Sequence, residues 1–176
     1  MPSPVFRLRP GDAPRYVQLR QRMLIEQWDD SVPRHEIETI TVPAAAATFG
    51  EDSSATFGIE APPDDSSEPG SARPLIGMAI LARQRNRRYE HRARLFNVYV
   101  GPDYRGRGFA GQLVSAAIEH ARGWPGVDYL DLCVNEDAVT AQRLYVRMGF
   151  AEWGRQEEAI TSHGRRLAEI HMTLRL

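Results

Sequence analysis

No lysine occurs in the 176 residues; all 22 basic side chains are arginine. A phosphate loop built on a lysine ammonium is therefore excluded. Cysteine is nearly missing as well. With Cys133 alone, no disulfide can close within the chain and no cluster of several thiolates can hold a metal. Long apolar runs are absent, and the N-terminus lacks a charged start followed by a hydrophobic stretch. The cytoplasm is the expected compartment, without a membrane association. A large net charge is also lacking, since the formal value is −1, so bulk attraction to nucleic acid or an anionic surface is not expected.

What is present suits one domain over residues 1–176. Hydrophobic content of 42% and charged content of 26% match an ordinary globular chain long enough to bury a core. Val5 to Arg9 alternates apolar and basic residues as a half-buried strand does. Asp12 offers an N-cap to a helix that carries Tyr16, Leu19 and Met23. Helical character from about Ser31 is expected to break at Pro43. Residues 61–74 are rich in proline, serine, aspartate and glycine, and predict a mobile loop joining strands Ala55–Ile59 and Leu75–Arg83 in an elongated hairpin. A second strand, Arg92–Val100, follows a polar turn. The six arginines at 83, 85, 87, 88, 92 and 94 read as the solvated face of that hairpin rather than as a nucleic-acid surface.

The informative stretch runs from Val98 through Val100-Gly101-Pro102-Asp103-Tyr104-Arg105-Gly106-Arg107-Gly108-Phe109-Ala110. An apolar strand enters a glycine-rich turn and passes directly into a helix with Phe109, Leu113, Ala117 and Ala121 on one face. The first turn of a helix has unpaired N–H groups and a partial positive charge. Gly106 and Gly108 let that backbone approach a phosphate, Ala110 keeps the turn small, and Arg105 and Arg107 add charge. The glycine spacing is not that of a dinucleotide fold. A strand at Tyr129–Val134, a helix at Asp137–Met148 and strands at Phe150–Arg155 and Arg166–Leu176 complete a mixed α/β pattern. Asn135 can cap the following helix and can contact a cofactor, two roles that do not exclude each other.

Arg105-x-x-Gly108-x-Ala110, after a strand and opening a helix, resembles the coenzyme A loop of the GNAT superfamily of N-acetyltransferases. Asn135, Ala138, Leu144, Tyr145, Gly149 and Phe150 match a second motif of that family in order. The resemblance covers about residues 75–174. It implies an α/β (α+β) fold: a GNAT-like domain with a mixed, mostly antiparallel central sheet flanked by helices, and a coenzyme A-binding core at about 75–155. It also implies direct transfer of an acetyl group from acetyl-CoA to a primary amine of a small molecule or protein. Val98 and Val100 are then the oxyanion donors through their backbone N–H groups, and a bulge in their strand is expected to free them. Arg105, Gly106, Arg107, Gly108, Phe109, Ala110 and Asn135 are the expected cofactor contacts, and Tyr145 the general acid for the thiolate. A dimer is the family expectation.

Arg94 stands roughly where many relatives place a glutamate, so the general base is open. Glu36, Glu38, Glu90, His91 and Asn97 are its candidates, beside a water relay or an amine that arrives neutral. The same departure keeps a second reading in play, a non-catalytic acyl-CoA-binding or regulatory module. Cys133, between Leu132 and Val134, reads as a small hydrophobe in an apolar strand, with no histidine beside it in sequence. The histidines lack metal-ligand spacing, and no metal is expected.

Overall fold

In the computed structural model the described residues are 4–28, 39–63 and 72–176. Their strands form one seven-stranded sheet: β1 (Val5–Arg7), β2 (Ser54–Glu60), β3 (Leu75–Arg83), β4 (Arg92–Val100), β5 (Tyr129–Asn135), β6 (Ala151–Ser162) and β7 (Arg165–Arg175). The order is β1-β2-β3-β4-β5-β7-β6. Every neighbouring pair is antiparallel except β4 and β5. That parallel step needs a crossover, and the helix α3 (Phe109–Arg122) supplies it. The other described helices are α1 (Ala13–Trp28), α2 (Val42–Thr48) and α4 (Val139–Arg147). The expected mixed, mostly antiparallel sheet with flanking helices is what the chain forms.

Two apolar clusters divide the sheet's faces. Phe109, Leu113, Val114, Ala117 and Ala121 of α3 pack with Ala93, Leu95 and Val100 of β4 and Leu130, Leu132 and Val134 of β5; Tyr145 of α4 joins them. On the other face Tyr16, Leu19 and Met23 of α1 pack with Met78 of β3 and Tyr99 of β4. The spacing foreseen for α3 buries all four of its predicted apolar residues.

Several local expectations need correction. Asp12 does not cap α1 at its start. It ends a 3-10 turn, Pro10–Asp12, and its carboxylate accepts from the N–H of Arg9 at 2.8 Å. Pro43 does not interrupt a helix but sits in the first turn of α2, where its missing N–H costs nothing. The helical stretch expected from Ser31, with Glu36 and Glu38, lies outside the described residues up to position 38, as do residues 64–71 of the long loop. The strands flanking that loop do pair antiparallel, and the N–H of Ala61 donates to the carbonyl of Pro74 at 2.9 Å. β6 reaches Ser162, well past the expected Arg155, because most of its side chains are exposed and leave no alternating pattern to read. Among the described residues, no helix is long and apolar enough to cross a membrane.

Candidate active site

The site begins with a defect in β4. Between the pairs Met78↔Tyr99 and Ile80↔Phe96 the register shifts by one extra residue on β4, and Asn97 there has φ of 53°. Asparagine tolerates this left-handed backbone better than most side chains. The inserted residue reverses which face each later side chain meets. Ala93 and Leu95 lie in the α3 cluster before it, and Val100 does after it, while Tyr99 turns to α1. The bulge expected in this strand is present.

Next to the bulge the sheet divides. β4 pairs with β5 only at Arg92↔Tyr129, Ala93↔Leu130 and Arg94↔Asp131. Residues 95–100 and 132–135 then diverge as two arms of a fork. The closed end is clamped: Arg92 donates to both carboxylate oxygens of Asp131 at 2.6 and 2.5 Å, and lies 4.7 Å from the centre of the Tyr129 ring. Backbone direction on the β4 arm follows from one contact. Gly101 N–H donates to the carbonyl of Ile76 in β3 at 2.8 Å. Antiparallel ladders alternate, so the N–H groups of Val98 and Val100 face away from β3 and into the fork. The carbonyl of Val100 agrees, since it accepts from Arg105 Nε at 3.0 Å.

The loop after β4 carries the second element. Gly106 and Gly108 have φ of 75° and 81°, a conformation that glycine adopts without strain. A Cβ built on either would meet nothing within 4 Å, so both face open space. Gly108 is the N-cap of α3 and contributes no side-chain cap. Among the described residues, no acceptor is found for the N–H groups of Gly106, Gly108, Phe109 and Ala110. Orphan donors at the positive end of a fourteen-residue helix form a cradle suited to a diphosphate, so the residues present fit the cofactor their motif suggests.

The individual side chains divide by position. Phe109 is buried under the loop. Arg107 is exposed and lies 5.6 Å from the centre of the Tyr104 ring. Arg105 turns toward α1 instead: its guanidinium pairs with Glu26, and Tyr99 Oη donates to the other oxygen of that carboxylate at 2.5 Å. Burial first, then the bond to Glu26, pushes the Tyr99 phenol up to about 12. Asn135 ends β5. Its side chain does not cap α4, whose N-cap is Ala138; its carbonyl accepts from Ala138 N–H at 3.1 Å and Gln142 Nε2 at 2.8 Å.

Tyr145 is buried against Phe150, with ring centres 5.8 Å apart. Among the described residues its hydroxyl has no hydrogen-bond partner, and burial alone pushes it up to about 12. The phenol therefore stays protonated at any physiological pH. Of the base candidates, Glu90 and His91 precede the closed end of the fork, and Asn97 forms the bulge itself. Glu26 was not foreseen; it meets Arg105 from 79 residues away, and no local pattern marks such a contact. Cys133 departs from the expectation of a residue packed in an apolar strand. It points opposite to its apolar neighbours, half-buried, with Sγ 3.1 Å from His171 Nδ1 of β7.

Comparison with curated proteins finds no match. Solved structures do match. A GNAT-family acetyltransferase of Streptococcus pneumoniae superposes with a TM-score of 0.76 at 19% identity, covering 98% of both chains. The ribosomal-protein-alanine N-acetyltransferase of Brucella melitensis gives 0.73 at 19%, covering 98% of this chain and 99% of that one. A Salmonella typhimurium protein solved with its cofactor acetyl-CoA gives 0.73 at 18%, covering 100% and 95%. These likenesses concern the fold. The family model for GNAT acetyltransferases matches residues 16–150, which span the bulged strand, the glycine loop and Tyr145, and the chain belongs to that family.

Proposed function

We propose that this protein moves an acetyl group from acetyl-CoA directly to a primary amine of a small molecule or a protein. One observation carries the reading: unpartnered loop N–H groups stand at the head of the same strand whose bulge opens the fork. In this arrangement the backbone of Gly106 to Ala110 holds the pyrophosphate, with Arg107 adding charge, and the fork receives the extended pantetheine arm. When bound, acetyl-CoA supplies a thioester carbonyl whose oxygen gains negative charge under attack.

The N–H groups of Val98 and Val100 face the fork and meet that charge with dipoles already oriented, which is where such donors help most. Tyr145 keeps its proton and gives it to the departing thiolate. Direct attack needs no covalent enzyme intermediate. Arg105, drawn to Glu26 and the Val100 carbonyl, sets the angle between β4 and the loop and so acts by positioning.

The test is thiol release from acetyl-CoA over a broad panel of amines, with thermal melts in parallel. Acetyl-CoA should raise the melting temperature while ATP and NAD should not, and at least one amine should accelerate thiol release. Stabilisation by acetyl-CoA with no turnover across the panel would instead establish a binding module that lacks the chemistry. No stabilisation would remove the cofactor assignment altogether.

A further inference from the structure

Three potential ligands of different kinds meet on the sheet face opposite α3. Cys133 of β5 lies directly across from His171 of β7, and Asn135 across from Glu169. Residues two apart on a strand share a face, so Cys133, His171 and Glu169 project together. Their sulfur, imidazole nitrogen and carboxylate oxygen all lie within 4.8 Å of one another. We infer that these three side chains form a binding site for a soft divalent transition cation of the zinc class.

Three features of the surroundings support this. First, half-buried carboxylates elsewhere are committed to arginine: Asp131 to Arg92, Glu60 to Arg15 and Arg73, and Glu26 to Arg105. Among the described residues, Glu169 has no such partner, although the chain contains 22 arginines. Second, the donors suit the ion. A thiolate and an imidazole favour zinc over calcium or magnesium, and a carboxylate completes a three-ligand site open to water at a fourth position. A tetrahedral ion with bonds of about 2.3 Å to sulfur and about 2.0 Å to nitrogen separates those atoms by about 3.5 Å. The 3.1 Å between Cys133 Sγ and His171 Nδ1 has only to open slightly. Third, the imidazole is held in place. The Trp153 ring packs against it, with ring centres 5.3 Å apart, and limits its rotation.

Arg94 opposes the ion. Its guanidinium donates to Cys133 Sγ at 3.4 Å, and it is an exposed side chain that can swing clear into water. It is therefore a competitor for the thiol, and its removal should help the metal. The inference stands independently of the acyl-transfer reading, because metal binding is measured without acetyl-CoA.

The full-length protein titrated with cobalt(II) should develop a thiolate-to-metal charge-transfer band in the near ultraviolet, and zinc should displace it. Cys133→Ser should abolish the band. His171→Gln and Glu169→Gln should each weaken binding by at least about tenfold, the lower end of what losing even an outer-shell partner costs. Arg94→Gln should strengthen it. Because Cys133 is the sole thiol, zinc should also slow its alkylation in the unmodified protein, a measurement independent of whether any variant folds. No band and no protection in the unmodified protein would overturn the inference. A band that survives Cys133→Ser would do the same.

Discussion

Replacing Tyr145 with phenylalanine should do two things that rarely go together: slow the reaction and leave the protein as stable or more so. The structural reason is the isolation of its hydroxyl. Tyr145 is 7% exposed and its oxygen has no partner among the described residues. A buried polar group without a hydrogen bond costs about 1–3 kcal/mol. Phenylalanine keeps the ring and its contact with Phe150 and removes only that cost. Taking the lower figure, the melting temperature should rise by about 2–4 °C for a chain of this size. The rate should fall, because the thiolate then leaves without a proton. General acids contribute about 100- to 10,000-fold, and a fairly acidic thiol leaving group places this case at the low end, about 100-fold. Steady-state thiol release at saturating acetyl-CoA, with calorimetric melts of both proteins, measures both quantities. Unchanged turnover would show that Tyr145 donates no proton. A fall in stability of about 1 kcal/mol or more would show that its oxygen is a structural hydrogen-bond partner.

Gly108→Ala should remain folded, since a Cβ there meets nothing within 4 Å, yet lose about 1–2 kcal/mol to its left-handed backbone. Its methyl group would occupy the open side of the loop, so stabilisation by acetyl-CoA in a thermal-shift assay should drop sharply. Asn97→Val should destabilise by about 1–3 kcal/mol, because a β-branched side chain strains at φ of 53°; Asn97→Gly should be tolerated in the same denaturant titration. At alkaline pH, ionisation of Tyr145 and Tyr99 opposes the fold, since both phenols are pushed up to about 12. That penalty is absent below the unfolded value of about 10 and grows as pH rises to about 12, so melts above pH 10 should show a steep decline that is reduced in Tyr145→Phe. In acid, burial tends to raise Glu60, but hydrogen bonds from Arg15 and Arg73 outweigh it and hold it below its usual range. Its stabilisation is complete above pH 4.5 and should fade as pH drops through the lowered value, a loss that Glu60→Gln should not show.

The fold was legible where periodicity is strong. α3 shows four apolar residues at helical spacing, and β3 and β4 have the bounds that their apolar runs predict. The glycine loop was legible because glycine, arginine and alanine occur there for reasons local to the backbone. β6 runs past its expected end because a strand exposed along both faces has no alternation to reveal it. The charge network was hidden for a different reason. Glu26 reaches Arg105 across 79 positions and Cys133 reaches His171 across 38, and only sheet register and helix placement create such pairs. Cys133 misled because Leu132 and Val134 flank it in sequence, whereas in a strand immediate neighbours belong to the opposite face.

The short seam between β4 and β5 gives the molecule an unusual mechanical character. Two half-sheets, β1–β4 and β5–β7, share only three residue pairs, with Arg92 and Asp131 as the rivet at one end. Main-chain groups on the inner edges of both halves are left without each other as partners. An extended molecule lying in that gap occupies the place of a missing strand and ties the halves together. On the proposed reading acetyl-CoA would be that molecule, and amide exchange along residues 95–100 and 132–135 is where the tightening would register.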